Sequence, residues 1–172
     1  YPKRSLSQAV RPEMEALARE TGESVNLAVP LGREALYLDQ VEGTKLVRLF
    51  TAPGSRAPLH ATGVGKVFLA YLGVPEGLSL TPYTPHTLTR LPDLLRELEA
   101  VRGRGYALDN EEAEKGVSCI GAGIHDDEGR LVAGLSLSAP SNRIDKTWCS
   151  RVKQIADEIS RALGHLPGAR VA

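Results

Sequence analysis

The chain has 172 residues, 42% of them hydrophobic and 24% charged, which suits one soluble globular domain and excludes a disordered chain, a collagen-like repeat or a coiled coil. Twenty-one Lys and Arg balance twenty-one Asp and Glu. A surface that gripped phosphates would carry a basic excess or stripe, so the charge argues against nucleic-acid binding by this chain itself. The longest apolar stretch, Val67 to Val74, is far short of a membrane span, and the opening Tyr1-Pro2-Lys3-Arg4 is no signal peptide. Cys119 and Cys149 form no disulfide framework and have no metal-type spacing to a histidine. A cytoplasmic protein without metal or cofactor is expected.

In chain order, Leu6–Thr21 reads as a helix with Leu6, Val10, Met14, Leu17 and Ala18 on one stripe and Gly22 past its end. Strands are expected over Ser24–Pro30, Glu34–Gln40 and Lys45–Thr51, with turns at Leu31-Gly32-Arg33 and Glu42-Gly43-Thr44. Gly54–Leu59 is a loop by composition. A short helix begins near His60–Gly65 and carries Val67, Phe68, Leu69 and Leu72. Thr81–Arg90, rich in Pro and Thr, reads as extended over the surface. Pro92 opens a helix that ends at Gly103 or Gly105. Tyr106–Leu108, Val117–His125 and Arg130–Ala139 read as strands, and Asp145–Leu163 as a final helix with Trp148, Val152, Ile155, Ile159 and Leu163 in phase. Clustered strands with tight turns imply an α+β domain, an antiparallel sheet of about six strands flanked by helices.

Val117–Ala139 is the most informative stretch. Asp126-Asp127-Glu128-Gly129 marks a hairpin. Alternation puts Ile120, Ala122 and Ile124 on one face and Cys119, Gly121 and Gly123 on the other. Matching the first set to Leu131, Ala133, Leu135 and Leu137 buries one apolar surface and sets Cys119 opposite Ser136, Gly121 opposite Gly134 and Val117 opposite Ser138. The second face then has small side chains, hydroxyls and a thiol where a core would want bulk. It reads as a small-ligand cavity, as a solvated face, or as a face closely covered by a helix over its glycines.

Three further features each carry two readings. His60-Ala61-Thr62-Gly63-Val64-Gly65-Lys66 is either a turn and cap or an anion-binding helix start; P-loop spacing is excluded, because His60 stands where Gly is required. Asp109, followed by Asn110, Glu111, Glu112 and Glu114, belongs either to an acidic solvated loop or to a ligand-accepting strand end. Cys119 with His60 and Asp109 is either a buried small residue beside unrelated groups or a nucleophilic set.

Several of these stretches resemble one family. Gly105-Tyr106-Ala107-Leu108-Asp109, Glu112, Cys119-Ile120-Gly121 and Ile124-His125-Asp126 look like the signature of IclR-type transcriptional regulators. Thr21–Leu27, Pro58–Lys66 and Ser136–Pro140 are similar to that family in order and spacing, so the resemblance runs from about Leu6 to Leu163. It implies a GAF-like effector-binding domain over residues 22–172. Residues 1–21 would be the linker or interface helix from a DNA-binding winged helix-turn-helix that this chain does not match. It also implies a small-molecule effector, often a short carboxylate or aromatic acid, DNA contact only through that other domain, and a homodimer or homotetramer. In members that bind a small keto acid, the ligand positions correspond by motif to Gly63, Val64, Asp109, Cys119, Ser136 and Ser138. Val64 stands where those members carry a smaller residue, which would trim the pocket. The rivals are an enzyme using Cys119 as nucleophile and a ligand-free oligomerisation module.

Overall fold

The computed structural model describes residues 3–44 and 52–166. The first helix, α1, covers Lys3–Thr21. Leu6, Val10, Met14 and Leu17 recur on one stripe and are all buried. Gly22 ends it at φ 74°, its N–H donating to the Ala18 carbonyl at 2.8 Å. β1 (Ser24–Leu31) and β2 (Glu34–Val41) follow as an antiparallel hairpin. The strand expected over Lys45–Thr51 lies outside the described residues.

A short strand, β3 (Arg56–Pro58), occupies the stretch read from composition as a loop. It pairs with Glu34–Leu36 at the sheet edge, where a proline's missing N–H costs no ladder bond on the solvent side. Gly, Ser and Pro around a three-residue edge strand mask its pairing. α2 spans Gly63–Leu72, starting three residues later than His60 because Thr62 is its N-cap. The Thr62 hydroxyl accepts from the Gly65 N–H at 3.1 Å and donates to the Pro58 carbonyl at 2.7 Å.

α3 (Leu91–Arg104) has Pro92 in its first turn and stops at Gly105. β4 (Ala107–Asn110), β5 (Val117–His125), β6 (Leu131–Pro140) and α4 (Thr147–Ala162) complete the order, with a 3-10 turn at Ser141–Arg143. The six strands form one sheet in the order β3-β2-β1-β6-β5-β4, every neighbouring pair antiparallel. α1 and α4 cover one face, over Val25, Leu27, Ile120, Ile124, Leu135 and Leu137. Each of these large side chains contributes about 1.5–3 kcal/mol by leaving water. α2 covers the other face and α3 packs on α2.

The β5–β6 faces match as the alternation predicts, but the partners differ. Cys119 stands opposite Ser138, Gly121 opposite Ser136, Gly123 opposite Gly134 and Val117 opposite Pro140, a two-residue slide from the register expected. Its cause is local. The turn is a three-residue loop, with Gly129 at φ 77° and the Asp126 N–H donating to the Arg130 carbonyl at 2.9 Å. A bulge between Ile124 and His125 then adds a second residue. Each extra residue alone would flip the faces; two together restore them.

Candidate functional site

Asp109 is placed by a loop built around a buried lysine. Lys66, 1% exposed on α2, donates from Nζ to the Leu108 carbonyl at 2.7 Å and to both Glu112 carboxylate oxygens at 3.0 and 3.1 Å. Glu112 Oε2 also accepts from the Asn110 N–H at 2.9 Å, while the Glu112 N–H donates to Asp109 Oδ1 at 2.8 Å. Between them Glu111 turns the chain at φ 58°. Burying a lysine and a glutamate costs several kcal/mol each, offset here by their pairing and by satisfied hydrogen bonds. The 81–90 segment has no regular element, yet it is not merely laid on the surface: Thr84 Oγ1 and Thr87 Oγ1 donate to the Glu111 and Glu112 carbonyls, both at 2.6 Å, and Thr87 is buried.

Cross-strand pairing sets Cys119 beside Asp109 and across from Ser138, whose hydroxyl lies 3.2 Å from the thiol sulfur. Behind Ser138, the fully buried Asn26 of β1 donates from Nδ2 to Ser136 Oγ and Ser138 Oγ, each at 3.2 Å. Asn26 Oδ1 accepts from Gln40 Nε2 at 3.1 Å.

A cavity of about 340 Å³ opens on the α2 side of the sheet, lined from both β2–β3 and β4–β5. Asp109, Cys119 and Tyr37 line it together with Thr62, and Arg56 and Glu114 bring opposite charges to its wall. The Arg56 side chain is 59% exposed and 3.5 Å from Glu34. Burial pushes the Asp109 carboxyl up to about 7; the Glu112 N–H and Lys66 oppose the rise and the Glu112 carboxylate reinforces it. Burial, with the Asp109 charge adding to it, drives the Cys119 thiol well above its ordinary value. The Tyr37 phenol is raised for the same reason.

Of the six positions singled out in the sequence, Asp109 and Cys119 line the cavity. Ser138 sits one hydrogen bond behind Cys119, and Ser136 is tied to Ser138 through Asn26. Gly63 and Val64 form the first turn of α2 beside cavity-lining Thr62, where helix geometry leaves their N–H groups without intrahelical partners. They press directly on β5: a Cβ at Gly121 would lie 2.6 Å from the Gly63 carbonyl carbon and 2.8 Å from the Val64 nitrogen. Covering of the glycines by a helix therefore holds at Gly121, and at Gly134 beneath Phe68 and Val64, while the open space lies toward Cys119 and Tyr37. Gly121→Ala is expected to push α2 outward at a cost of about 1–3 kcal/mol; a thermal melt coinciding with that of the parent would refute this contact.

His60 does not join Cys119. Its Nε2 lies 2.9 Å from the Thr81 carbonyl, in a neighbouring cleft with Arg33, Ser79 and Tyr83. His125 and His165, far apart in sequence, stack with ring centroids 5.4 Å apart. Among the described residues no group of three or more His, Cys, Asp and Glu is arranged to hold a metal ion, and no helix is long and apolar enough to cross a membrane. Sequence reading missed Asn26, Tyr37, Arg56, Thr62 and Lys66. A polar residue inside an otherwise apolar strand, as at Asn26 between Val25 and Leu27, was the one available signal.

Comparison with known proteins gives consistent results. The family model for "Bacterial transcriptional regulator IclR C-terminal" matches residues 2–165. The transcriptional repressor AllR of Escherichia coli K12 is 40% identical over 171 residues, covering 94% of this chain; the chain spans only 63% of AllR's length. The crystal structure of Thermotoga maritima IclR superposes with a TM-score of 0.85 at 36% identity, over 96% of this chain and 70% of that one. An IclR homologue from Microbacterium hydrocarbonoxydans, solved in complex with 4-hydroxybenzoate, gives 0.87 at 25% identity, over 95% and 70%. The α+β sheet, the helix order and these matches together place the chain in the IclR family of bacterial transcriptional regulators, in the C-terminal domain of that family.

Proposed function

We propose that the domain senses a small carboxylate, from a short hydroxy or keto acid up to a single-ring acid, bound in the cavity beside the start of α2 and the Cys119 end of the polar face of the β5–β6 hairpin. The observation that carries this reading is the 340 Å³ cavity with Asp109 and Cys119 on its wall and Ser138 hydrogen-bonded behind. In this reading the N–H groups of Gly63 and Val64, with Ser136 and Ser138, hold the carboxylate, and Arg56 adds positive charge at the wall. Asp109 and Cys119 read a further oxygen of the ligand. The 4-hydroxybenzoate in the Microbacterium relative supports a carboxylate of that size.

Use of Cys119 as a nucleophile is disfavoured, because the thiolate is the reactive form and burial opposes it, while His60 is engaged elsewhere. The whole protein would be a cytoplasmic regulator that contacts DNA through a separate N-terminal domain and assembles as a homodimer or homotetramer. Residues 1–21 would link the two domains and 22–172 would bind the effector. The ligand changes DNA affinity only if it favours one arrangement of the domains over another. α1 is positioned to report this, since Arg11 donates to Asp39 at 2.7 Å and to the Gln40 carbonyl at 3.2 Å.

A thermal-shift screen against short hydroxy, keto and dicarboxylic acids and a few aromatic acids tests the site. Saturation at 100 times the dissociation constant adds about 2.7 kcal/mol, a rise of roughly 5–10 °C at this chain length. The rise should vanish in Ser136→Ala/Ser138→Ala. A shift that survives the double variant would overturn this placement, and no shift from any acid would overturn the reading.

A further inference from the structure

We propose that Asn26 and Gln40, neither of them on the cavity wall, are positioning residues that make the inner wall of the cavity a hydrogen-bond donor surface, so that the ligand must present an acceptor oxygen there. The inference rests on the ligand-sensing reading above and specifies what that site selects.

The argument is one of direction. Asn26 carries one acceptor and one two-proton donor. Gln40 Nε2 donates to Asn26 Oδ1 at 3.1 Å, which turns the Asn26 Nδ2 toward β6. Its two protons meet Ser136 Oγ and Ser138 Oγ, both at 3.2 Å. A serine hydroxyl that accepts from behind has its own proton left to give forward. For Ser138 the forward neighbour is Cys119 Sγ at 3.2 Å, and the ligand carboxylate of the reading above would compete for the same proton. The Cys119 S–H is then directed toward the Asp109 edge, where cavity and carboxyl meet. From Gln40 to Ser138 the donors therefore point one way, across β2, β1 and β6 toward Cys119 on β5. Below about pH 7 the Asp109 carboxyl, kept protonated by burial, adds a donor of its own to this wall. Asn26 is fully buried and Ser138 nearly so, so water cannot reverse the chain at either.

Two substitutions reverse the direction without changing shape. In Asn26→Asp the carboxylate can only accept, so both serine protons turn back toward β1. In Gln40→Glu the new acceptor attracts the Asn26 amide nitrogen, which presents Oδ1 to the serines. Gln40 is only partly buried, so this second change puts its charge within reach of water.

The test measures dissociation constants of the 172-residue chain for two matched probe pairs, 4-hydroxybenzoate with 4-hydroxybenzylamine and pyruvate with isopropylamine. The parent should prefer the acid of at least one pair. Each variant should cut the acid-to-amine ratio by roughly 10- to 100-fold, the range of a hydrogen bond to a charged group. A purely structural role would weaken acid and amine alike and leave the ratio unchanged, which would overturn the inference while keeping the site. If the parent binds none of the four probes nor any acid in the thermal screen, the ligand-sensing reading falls and the inference with it. Should Asn26→Asp fail to fold, Gln40→Glu decides: a collapsed ratio supports the proposal and an unchanged one overturns it.

Discussion

Asp109→Asn is expected to raise the melting temperature of the ligand-free chain at pH 8, and the gain should shrink as the pH is lowered. The unfolded carboxyl ionises near 3.8, whereas burial holds the folded one up to about 7. Between these values the folded state keeps a proton that the unfolded state has lost, so stability falls as pH rises through this window and stays low above it. A displacement of about three pH units corresponds to about 4 kcal/mol at pH 8 and less than half of that at pH 5. The amide that Asp109→Asn introduces is free of this penalty, and its oxygen can still accept from the Glu112 N–H. For a chain of this length the gain amounts to roughly 8–15 °C at pH 8. Melts of parent and variant across pH 5 to 8 check it, and a gain independent of pH would show that ionisation of Asp109 is not its source.

In the proposed reading, ligand binding is what the cost of burying this carboxyl at the cavity wall serves. The same titration should appear in ligand binding. A ligand that presents a carbonyl to Asp109 needs the protonated form and weakens up to tenfold per pH unit above 7. One that presents a hydroxyl can use the ionised form and keeps its affinity there. The pH profile thus separates keto from hydroxy ligands.

Lys66→Met should produce the opposite change in stability. It removes the cation that faces both oxygens of the Glu112 carboxylate and leaves that buried group with the Asn110 N–H as its one remaining donor among the described residues. Breaking one side of a buried pair typically costs about 3–5 kcal/mol, roughly 6–20 °C here. Adding Glu112→Gln to it should recover much of the loss, because the uncompensated charge is gone. The double-mutant cycle measured by thermal or urea melts gives the coupling. Single effects that simply add would mean that Lys66 and Glu112 do not act as a pair. Because Leu108, Asp109 and Glu112 share this clamp, Lys66→Met should also blunt any ligand-induced shift.

The helices were readable because α1 and α4 each bury one stripe, and a 3.6-residue period survives whatever surrounds it. The two faces of the β5–β6 hairpin were readable for the same kind of reason, as alternation needs only the chain's own geometry. The register was not. A three-residue turn and a bulge together slide Cys119 from Ser136 to Ser138 without disturbing the apolar face, so the hydrophobic pattern is satisfied either way. β3 was hidden because its three residues are a strand only by virtue of Glu34–Leu36 beside them.

At the site, Asp109, Cys119, Ser136 and Ser138 stood out as polar groups and a thiol on small-residue segments, and the resemblance to a family gathered them. Asn26 and Lys66 escaped for a physical reason. A lone Asn in a strand and a Lys on a short helix ordinarily face water, and only the packing of β6 on β1, and of α2 against the 108–112 loop, takes them out of it. The sequence by itself determined which residues turn inward along each element and that the elements form a helix-covered antiparallel sheet. Only the tertiary structure decided which polar groups meet in the interior. Partners such as Asn26 and Ser136 are 110 residues apart, and no local periodicity carries information over that distance.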